Sequence, residues 1–450
     1  MSGSDTIAAI ATARGQAALA IVRMSGPEAL DVAARCFHGS DLREAATHTA
    51  HVGYWEGADG KRTDQVVATV FRGPNSATGE DVVEVSCHGG EYVTGQILTS
   101  MVRRGATLAR PGEFTQRAFL NGKIDLAQAE AVADLIGAVS ARAHRTSVAA
   151  LEGHYSKLLS NARASLLQLC ALAELEIDFT DEDVEFASRV QLQQEIQATR
   201  ALVSSLLDSC KLGEFVREGV RTVIAGRPNA GKSTLLNSLC ARDRAIVSAQ
   251  PGTTRDTLEA DVEISGLRYR LMDTAGLRET ADEIEKLGVE RAQKLLGRAD
   301  MILYVFDLTQ GLTQTERDMV AEWTTVPVVV IGNKRDLVEI GREGGDHIQL
   351  CAIDGPDAVA PLKAHIARLA IDWWSDPDTS RTVMNSRHQG HLHMAGKHLS
   401  AALESVQSDL PPDLFTLDLR AAAQELGMIT GAITSEEVLG AIFSRFCIGK

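Results

Sequence analysis

The segment Gly226-Arg-Pro-Asn-Ala-Gly-Lys-Ser233 follows a short apolar run, Arg221–Ala225, and precedes a segment with helical character, Ser233–Leu239. The apolar run is typical of a buried strand. A strand, a glycine-rich turn and the start of a helix, in this order, indicate a loop that binds phosphate groups. An ordinary glycine turn is the alternative interpretation, because short motifs also occur by chance.

The residue types of this loop explain how it can hold a polyphosphate. Gly226 and Gly231 allow the backbone to curl, so that successive N–H groups point at phosphate oxygens. The N-terminus of the following helix adds its dipole. We expect Lys232 to reach the β- and γ-phosphates and the hydroxyl of Ser233 to bind Mg²⁺.

Two further motifs follow apolar segments and indicate GTP as the nucleotide. Asp273-Thr-Ala-Gly276 follows Tyr269–Met272, and there the aspartate can hold Mg²⁺ through water while the glycine can offer its N–H to a γ-phosphate. Asn333-Lys-Arg-Asp336 follows Val326–Gly332, and its last carboxylate can accept two N–H donors from guanine that adenine does not offer. The order and spacing of the three motifs resemble those of the translation-factor-like GTPases.

Composition limits the classes of protein to which the chain can belong. Its 450 residues are enough for about two to four domains, and 44% of them are hydrophobic. A net charge of −15 argues against a protein that coats nucleic acid. The sequence shows no apolar run long enough to cross a membrane and no signal peptide, and its seven scattered cysteines form no CxxC pair. These features predict a reduced, cytoplasmic protein.

The pattern of residue types along the chain predicts four segments. Residues 1–120 alternate strand-like and helix-like runs, as in an α+β domain, and residues 121–215 form the first half of a helical domain. Residues 216–373 alternate strands and helices around the phosphate loop, and residues 374–450 return to helix. Because neither helical block is a complete bundle, we expect the two halves to pack together with the GTPase domain inserted between them. Within the first half, long helices are predicted over 126–150, 152–177 and 188–212, with the acidic run 178–185 as a turn.

Two positions near the phosphate loop differ from the simplest GTPase scheme. Leu277 stands where many small GTPases place a water-orienting glutamine, so a carboxylate in Leu277–Glu285 is a candidate for that role; a solvated acidic loop is the other interpretation. The amide oxygen of Asn229 beside a triphosphate is favourable only with a cation between them. The segment Ala245–Asp256, rich in carbonyls and hydroxyls, can wrap a monovalent cation, and Thr254 can close on Mg²⁺.

Segments along the whole chain together resemble the MnmE (TrmE) family of tRNA modification GTPases. The Cys-Ile-Gly-Lys at the C-terminus is the most specific of them, since an ordinary GTPase does not end in this way. The segments are Pro74–Asp81, His88–Gly90, Arg110–Lys123, Gly226–Ser233, Pro251–Asp256, Asp273–Arg278 and Phe446–Lys450.

The resemblance implies a multidomain α/β fold, with an α+β N-terminal domain for folate binding and dimerisation, an all-α helical domain and an inserted Ras-like P-loop GTPase domain. It implies a cytoplasmic homodimer, not bound to membrane, whose G domains also associate. Together with a FAD-containing partner, MnmG (GidA), such a potassium-activated GTPase modifies C5 of the wobble uridine (position 34) of tRNA. The group added is aminomethyl or carboxymethylaminomethyl, and its carbon comes from 5-formyl- or 5,10-methylene-tetrahydrofolate.

The same resemblance assigns roles to residues of this chain. Glu285 is implied as the water-orienting carboxylate, and Cys447 is a candidate functional thiol, although a small apolar role suits it equally. The implied K⁺ ligands are Asn229, Ser248, Gln250 and Thr253; the Mg²⁺ ligands are Ser233 and Thr254; the folate contacts are Arg23, Glu84, Lys123 and Lys450. The predicted GTP site consists of Asn229, Ala230, Gly231, Lys232, Ser233, Thr234, Ser248, Thr253, Thr254, Asp273, Thr274, Ala275, Gly276, Asn333, Lys334, Asp336, Cys351 and Ala352.

Two segments depart from the family pattern. The Ser-Ala-basic signature that packs on guanine is here Cys351-Ala352-Ile353, in which we expect Ala352 to offer its backbone N–H to the base. Near the N-terminus, Ala13–Ala18 replaces a run richer in glycine.

Two other functional classes compete with this interpretation. A GTP-switched ribosome assembly factor that binds RNA should carry a KH-like GXXG loop or a basic tail, and we find neither. A stand-alone folate transferase would not need a GTPase. The acidic balance and the three nucleotide motifs therefore favour the tRNA-modifying GTPase.

Overall fold

The computed structural model describes residues 5–178, 189–241, 259–273, 295, 297–338, 347–374 and 385–450. The chain divides into two compact units, each with its own sheet. The first unit comprises Met1–Ala133, Ala150–Phe186 and Thr416–Lys450, and the second comprises Asp134–Ala149 and Ala187–Phe415. The sequence expectations that fall on residues 179–188, including most of the acidic run, lie outside the described residues.

The described residues contain the following regular elements. The strands are β1 Ile7–Ile10, β2 Ala17–Ser25, β3 Phe37–His38, β4 Thr49–Glu56, β5 Arg62–Phe71, β6 Val82–Gly89, β7 Thr107–Leu108, β8 Val220–Ala225, β9 Glu259–Ile264, β10 Leu267–Asp273, β11 Met301–Asp307, β12 Val328–Asn333 and β13 Ile348–Gln349. The helices are α1 Ala29–Ala34, α2 Glu91–Arg103, α3 Glu113–Leu120, α4 Leu126–Gly137, α5 Ala141–Leu151, α6 His154–Asp178, α7 Arg189–Glu218, α8 Lys232–Cys240, α9 Gln314–Glu322, α10 Ala360–Trp374, α11 Ser386–Gln407, α12 Pro412–Thr430 and α13 Glu436–Phe443.

The sheet of the first unit has seven strands among the described residues, in the order β3-β4-β5-β6-β2-β1-β7. One face is covered by α1 and α2, and the hydrophobic cluster beneath them includes Met24, Trp55 and Met101. Side chains alternate along the strands, so residues such as Val52 and Val67, which are paired across β4 and β5, point to the other face and are exposed. The mixture of strands and helices that the sequence predicts for residues 1–120 is confirmed.

The C-terminal residues dock on the N-terminal sheet and on α3 of the same chain. Ile448 forms an antiparallel bridge with Pro111, and the carbonyl of Cys447 accepts a hydrogen bond of 3.3 Å from the N–H of Gly112. Phe443 and Phe446 are buried in a cluster with α4. The end of α13 and the residues after it therefore lie against the N-terminal part of the same chain.

The sheet of the second unit has six strands among the described residues, in the order β13-β12-β11-β8-β10-β9. Every neighbouring pair is parallel except β9 and β10. Alternate residues enter two different hydrophobic clusters, for example Ile224 in one and Val223 in the other, so both faces are covered. The carboxyl ends of β8, β10, β11 and β12 consequently lie along one edge of the sheet, and the nucleotide motifs follow those ends.

One predicted helix is divided into two in the structure, and another is longer than predicted. The single helix predicted over 126–150 is wrong: the chain forms α4 and α5 with a break at residues 138–140. Ser140 makes the break, because its Oγ accepts a hydrogen bond of 3.2 Å from the N–H of Ala143 and so caps a new helix. The helix predicted over 188–212 is α7, which continues to Glu218. Helix α7 precedes the second sheet in the chain, α11 follows it, and the two helices pack together.

Within the described part of the chain, no helix combines the length and the apolar character that a membrane span requires.

Gly112 offers a test of how the C-terminal residues dock. Its φ is 68°, and a Cβ there would lie 2.7 Å from the carbonyl oxygen of Phe443. Gly122 is a matched control, because its φ is 67° but a Cβ there would meet no atom within 4 Å. We expect Gly122→Ala to cost about 1–2 kcal/mol of unfolding free energy through backbone strain alone, and Gly112→Ala to cost about 1–3 kcal/mol more through the clash.

Chemical denaturation of the two variants measures this difference. Carboxypeptidase digestion should in addition release the last residues of Gly112→Ala faster than those of Gly122→Ala. Equal stability of the two variants would contradict the docking contact.

Candidate functional site

The loop between β8 and α8 has the backbone that the sequence predicted for phosphate binding. Gly226 has a φ of 141°, and a Cβ at this position would lie 2.0 Å from the carbonyl oxygen of Val305 on β11. Gly231 has a φ of 93°, forms the N-cap of α8, and would place a Cβ 2.1 Å from Nδ2 of Asn333. Both positions therefore require glycine, for conformation and for space.

Lys232 and Asn229 occupy different parts of this loop. Lys232 is buried, and its Nζ donates to the carbonyl oxygens of Gly226 at 2.9 Å and Arg227 at 2.8 Å. Its ammonium group thus lies inside the curve of the loop, where a polyphosphate would be held. Asn229 is exposed at the rim and has a φ of 61°, a conformation that asparagine tolerates better than most residues.

Ser233 and Asp273 meet at the start of α8 and the end of β10. The Ser233 hydroxyl donates to Oδ2 of Asp273 at 2.8 Å, and Asp273 is fully buried. A hydroxyl and a carboxylate oxygen are the ligand types that Mg²⁺ prefers. This pair therefore fits the metal role that the sequence predicts for these two residues.

The side chain of Asn333 connects the phosphate loop to the base-binding side. Its Nδ2 donates to the carbonyl oxygen of Ala230 at 2.8 Å, and its Oδ1 accepts from the N–H of Ala352 at 3.0 Å. The N–H that we expected Ala352 to offer to guanine is therefore bound to Asn333 in this structure. Next to it, Lys334 has a φ of 65°, and its Nζ lies 2.7 Å from Oδ2 of Asp307.

Cys351 contacts the carboxylate of Asp336. Its Sγ donates to Oδ1 of Asp336 at 3.1 Å, so the thiol holds the carboxylate predicted to recognise guanine. Burial raises the pKa of the Cys351 thiol, and the hydrogen bond to Asp336 raises it further, so the group remains a protonated donor. Ile353, which takes the basic position of the signature, is 77% exposed.

These residues enclose a cavity of about 380 Å³. Volumes of roughly 300–1,000 Å³ are typical of small-molecule sites. One end of the cavity is formed by the phosphate loop and the other by the residues after β12. Its lining consists of Asn229, Gly231, Lys232, Ser233, Thr234, Asn333, Lys334, Asp336, Cys351, Ala352 and Ile353.

Of the other residues that the sequence assigns to this site, the structure describes one and leaves the rest outside the described residues. Ala230 is buried in the loop, beneath the cavity. Eight others lie outside the described residues: Ser248, Gln250, Thr253, Thr254, Thr274, Ala275, Gly276 and Glu285.

The four residues assigned to folate lie in the first unit. Arg23 and Glu84 face each other across β2 and β6, with Nη2 and Oε1 2.6 Å apart, and their side chains are 25% and 20% exposed. The guanidinium of Arg23 also lies 5.7 Å from the ring centre of Phe114. Lys123 donates from Nζ to the carbonyl oxygen of Pro74 at 2.9 Å.

The C-terminal residues lie beside the strand next to Arg23. Gly449 packs so closely on β1 that a Cβ would lie 2.4 Å from the carbonyl oxygen of Ile10, and the preceding residue Ala9 is paired with Arg23. Lys450 follows Gly449 directly. The structure thus brings the chain end to the strand pair that carries Arg23.

The thiol of Cys447 differs from the thiols of the core. Burial raises the pKa of Cys87, Cys170 and Cys210 to about 11, so these groups stay protonated and unreactive. Cys447 is exposed, while its carbonyl is held by Gly112. The structure thus fixes the backbone of Cys447 and leaves its thiol accessible.

Sequence reasoning missed the partners of Arg227, the second residue of the phosphate loop. Its guanidinium pairs with Glu316 on α9. Thr313-Gln-Thr-Glu316 has the form of a capping box and forms one in the structure, but that pattern predicts the start of α9 and not the contact with Arg227.

Comparisons with known proteins identify relatives along the whole chain. The family model described as "MnmE helical domain" matches residues 126–447, and that described as "GTP-binding protein TrmE N-terminus" matches residues 6–123. The tRNA modification GTPase MnmE of Salinibacter ruber is 54% identical, with 100% of each chain covered. The proteins of the same name from Cytophaga hutchinsonii and Chlorobaculum tepidum are 40% and 45% identical; 99% of this chain is covered in both cases, and 98% and 97% of theirs.

The thiol of Cys351 provides a test of how Asp336 is held. We expect Cys351→Ala to weaken GDP binding by about threefold to tenfold, because Asp336 loses one hydrogen-bond donor. The loss should be smaller for IDP, which lacks the exocyclic amine that Asp336 is predicted to bind. Cys351→Ser keeps a donor and should bind GDP within about twofold of the unchanged chain.

Calorimetric titration with GDP and IDP measures both affinities for each variant. If Cys351→Ala and Cys351→Ser discriminate GDP from IDP equally, the thiol does not position Asp336.

Proposed function

We propose, from the premise that this chain belongs to the MnmE family of tRNA modification GTPases, that it is a potassium-activated GTPase that modifies C5 of the wobble uridine of tRNA. GTP hydrolysis in tRNA modification follows from the family itself. The further proposal is that an aminomethyl or carboxymethylaminomethyl group is added together with a FAD-containing partner of the MnmG type. The observation that carries the proposal is the cavity that extends from the phosphate loop to Asp336. We assign its loop end to the phosphates and its Asp336 end to guanine.

The described contacts support one orientation of GTP in this cavity. Lys232 holds two loop carbonyls from inside the curve of the loop, so its ammonium group is placed to meet the β- and γ-phosphates. Asp336, fixed by Cys351, would accept the two N–H donors of guanine. Ser233 and Asp273, with Thr254, would hold Mg²⁺, which supplies positive charge to the phosphates when bound.

A potassium site is proposed at the rim of the loop. Asn229 is exposed there, and its amide oxygen would require a cation beside a triphosphate. Ser248, Gln250 and Thr253 would complete the ligand set. The bound cation would supply charge complementary to that developing on the phosphates. Because Leu277 cannot orient water, we assign that task to Glu285.

The face of the first sheet opposite α1 and α2 supports a proposed tetrahydrofolate site. Arg23 and Glu84 lie on this face, and together with Lys123 and Lys450 they offer charged groups of both signs for a pterin and its glutamate carboxylates. The buried ring of Phe114 lies next to Arg23 and supports its guanidinium from below. The bound 5-formyl- or 5,10-methylene-tetrahydrofolate would supply the one-carbon unit, and Cys447 is the thiol nearest in sequence to Lys450.

The same face supports a proposed homodimer. Leu19, Val52 and Val67 are 67%, 66% and 37% exposed on it, and apolar residues grouped on one sheet face are typical of an interface. A second copy of the chain would cover them. Residues 1–120 would then form the folate and dimerisation domain, with helical halves at 121–215 and 374–450 and the GTPase domain at 216–373 inserted between them. We assign the action of the whole protein to the cytoplasm.

Deleting Cys447–Lys450 tests the link between the chain end and tRNA modification. We expect the shortened chain to hydrolyse GTP at nearly the unchanged rate, since the nucleotide cavity contains none of these residues. Cells that carry only this variant should lose the C5 modification of the wobble uridine. Lys232→Ala is the complementary control, since it should lose GTP hydrolysis.

Nucleoside analysis of tRNA from these cells by mass spectrometry gives the answer. Full modification by the shortened chain would remove Cys447 and Lys450 from the proposed site. Unmodified wobble uridine in cells with the complete chain would refute the proposed function.

Asn229 permits a test of potassium activation that separates the side chain from the backbone. Asn229→Gly keeps a residue that favours the φ of 61° but removes the oxygen, whereas Asn229→Asp keeps an oxygen. We expect GTP hydrolysis to be at least about tenfold faster in KCl than in NaCl, a magnitude modest for a group that stabilises transition-state charge. Asn229→Gly should abolish the difference and Asn229→Asp should retain part of it.

Initial rates at equal ionic strength in the two salts provide the measurement. Equal rates for the unchanged chain would exclude potassium activation and leave the GTPase assignment intact.

A further inference from the structure

The side chain of Arg227 points away from the nucleotide cavity although the residue belongs to the phosphate loop. Its Nη2 forms an ion pair with Oε2 of Glu316 and donates to Oγ1 of Thr313 at 3.1 Å. Arg227 is absent from the residues that line the cavity. Its charge therefore serves an internal contact with α9 and does not face the nucleotide.

Glu316 gathers several donors around one buried carboxylate. Tyr304 donates its hydroxyl to Oε1 at 2.7 Å, while the N–H and the hydroxyl of Thr313 donate to Oε2 at 2.8 Å and 2.7 Å. Burial alone would raise the pKa of Glu316, but these hydrogen bonds and the bond from Arg227 lower it to about 2. The carboxylate is thus ionised at any working pH, and its side chain is only 10% exposed.

The main chain of Arg227 holds the other end of this connection. Its carbonyl oxygen accepts a hydrogen bond of 2.8 Å from Nζ of Lys232 and one of 3.4 Å from the N–H of Ala230. One residue therefore joins the phosphate-binding lysine to a fixed carboxylate on α9. The backbone of Gly226, immediately before Arg227, packs so closely on the carbonyl oxygen of Val305 that no side chain fits between them. The first turn of the loop is therefore fixed at two successive residues.

We infer that Arg227 and Glu316 are positioning residues, which hold the first turn of the phosphate loop in the curvature that the β-phosphate requires. The inference rests on the proposed placement of the phosphates at this loop. It assigns to Arg227 an effect on phosphate binding that is transmitted through its backbone. Neither residue is assigned a contact with the nucleotide.

A purely structural ion pair is the competing explanation, and the chain contains a matched control for it. Arg221, on the strand β8 that precedes the loop, pairs with Asp300 through two contacts of 2.8 Å. This pair lies at the opposite end of β8 from the loop. Arg221→Ala thus removes an arginine–carboxylate pair of the same kind without touching the first turn of the loop.

The ratio of the dissociation constants for GMP and GDP separates positioning from loss of folded protein. GDP places a β-phosphate in the loop and GMP does not, so a deformed loop should weaken GDP and leave GMP nearly unchanged. We expect this ratio to fall about tenfold, equivalent to about 1.4 kcal/mol, in Arg227→Ala and in Glu316→Gln. Arg221→Ala should keep the ratio of the unchanged chain, even if it lowers the melting temperature.

Arg227→Lys keeps the test decisive if Arg227→Ala folds poorly. Arg227→Lys retains the charge but not the fork that reaches Thr313, so it should restore the ratio to within about threefold. The double variant Arg227→Ala/Glu316→Gln should show the same ratio as Arg227→Ala alone, because both changes break one connection. Competition against a fluorescent guanine nucleotide measures both constants for every variant.

The outcomes distinguish the inference from the proposed function. A ratio within about twofold of the unchanged chain in Arg227→Lys, Arg227→Ala and Glu316→Gln alike, with no more effect than Arg221→Ala, would overturn the positioning role and leave the phosphate loop assignment standing. If the unchanged chain and Lys232→Ala fail to discriminate GDP from GMP, the phosphate assignment falls and the positioning role falls with it.

Discussion

The pair of hydrogen bonds made by the Asn333 side chain is the constraint on which the geometry of the nucleotide cavity depends. One side-chain amide joins Ala230 in the phosphate loop to Ala352 in the segment after β13. Because Asn333 is only 4% exposed, water cannot replace either partner without cost. Gly231 must lack a side chain so that this amide can reach the loop. The distance between the loop after β8 and the segment after β13 is thus set by one buried residue.

Other polar groups along this edge of the second sheet are also buried together with the groups that form hydrogen bonds with them. Asp273 accepts from Ser233, and Glu316 accepts from Tyr304, Thr313 and Arg227. A buried carboxylate without donors would be costly, so each of these groups fixes the neighbours that satisfy it. The loop between β8 and α8 consequently has little conformational freedom of its own. Its curvature is imposed by β11, α9 and Asn333.

Sequence patterns identified those features that depend on local chemistry and missed those that depend on contacts distant in sequence. The strand, loop and helix around Gly226 and Lys232 follow from residue types at short spacing. The break at Ser140 was missed because the apolar pattern continues through it, and only a capping hydrogen bond reveals it. The N–H of Ala352 was assigned to guanine, but Asn333, 19 residues earlier, takes it. The partner of Arg227 lies 89 residues away, a separation at which no local pattern specifies a contact.

The C-terminal residues illustrate how a short tail can be fixed without using its side chains. The contacts that dock residues 447–449 are made by backbone atoms: the carbonyl of Cys447, the bridge at Ile448 and the close approach of Gly449 to β1. Only the glycine is specified by this docking, because only there would a Cβ clash. The side chains of Cys447 and Ile448 are exposed, so packing does not explain a cysteine at this position. The docking therefore fixes the backbone at this position and leaves the side chain of residue 447 unconstrained by the fold.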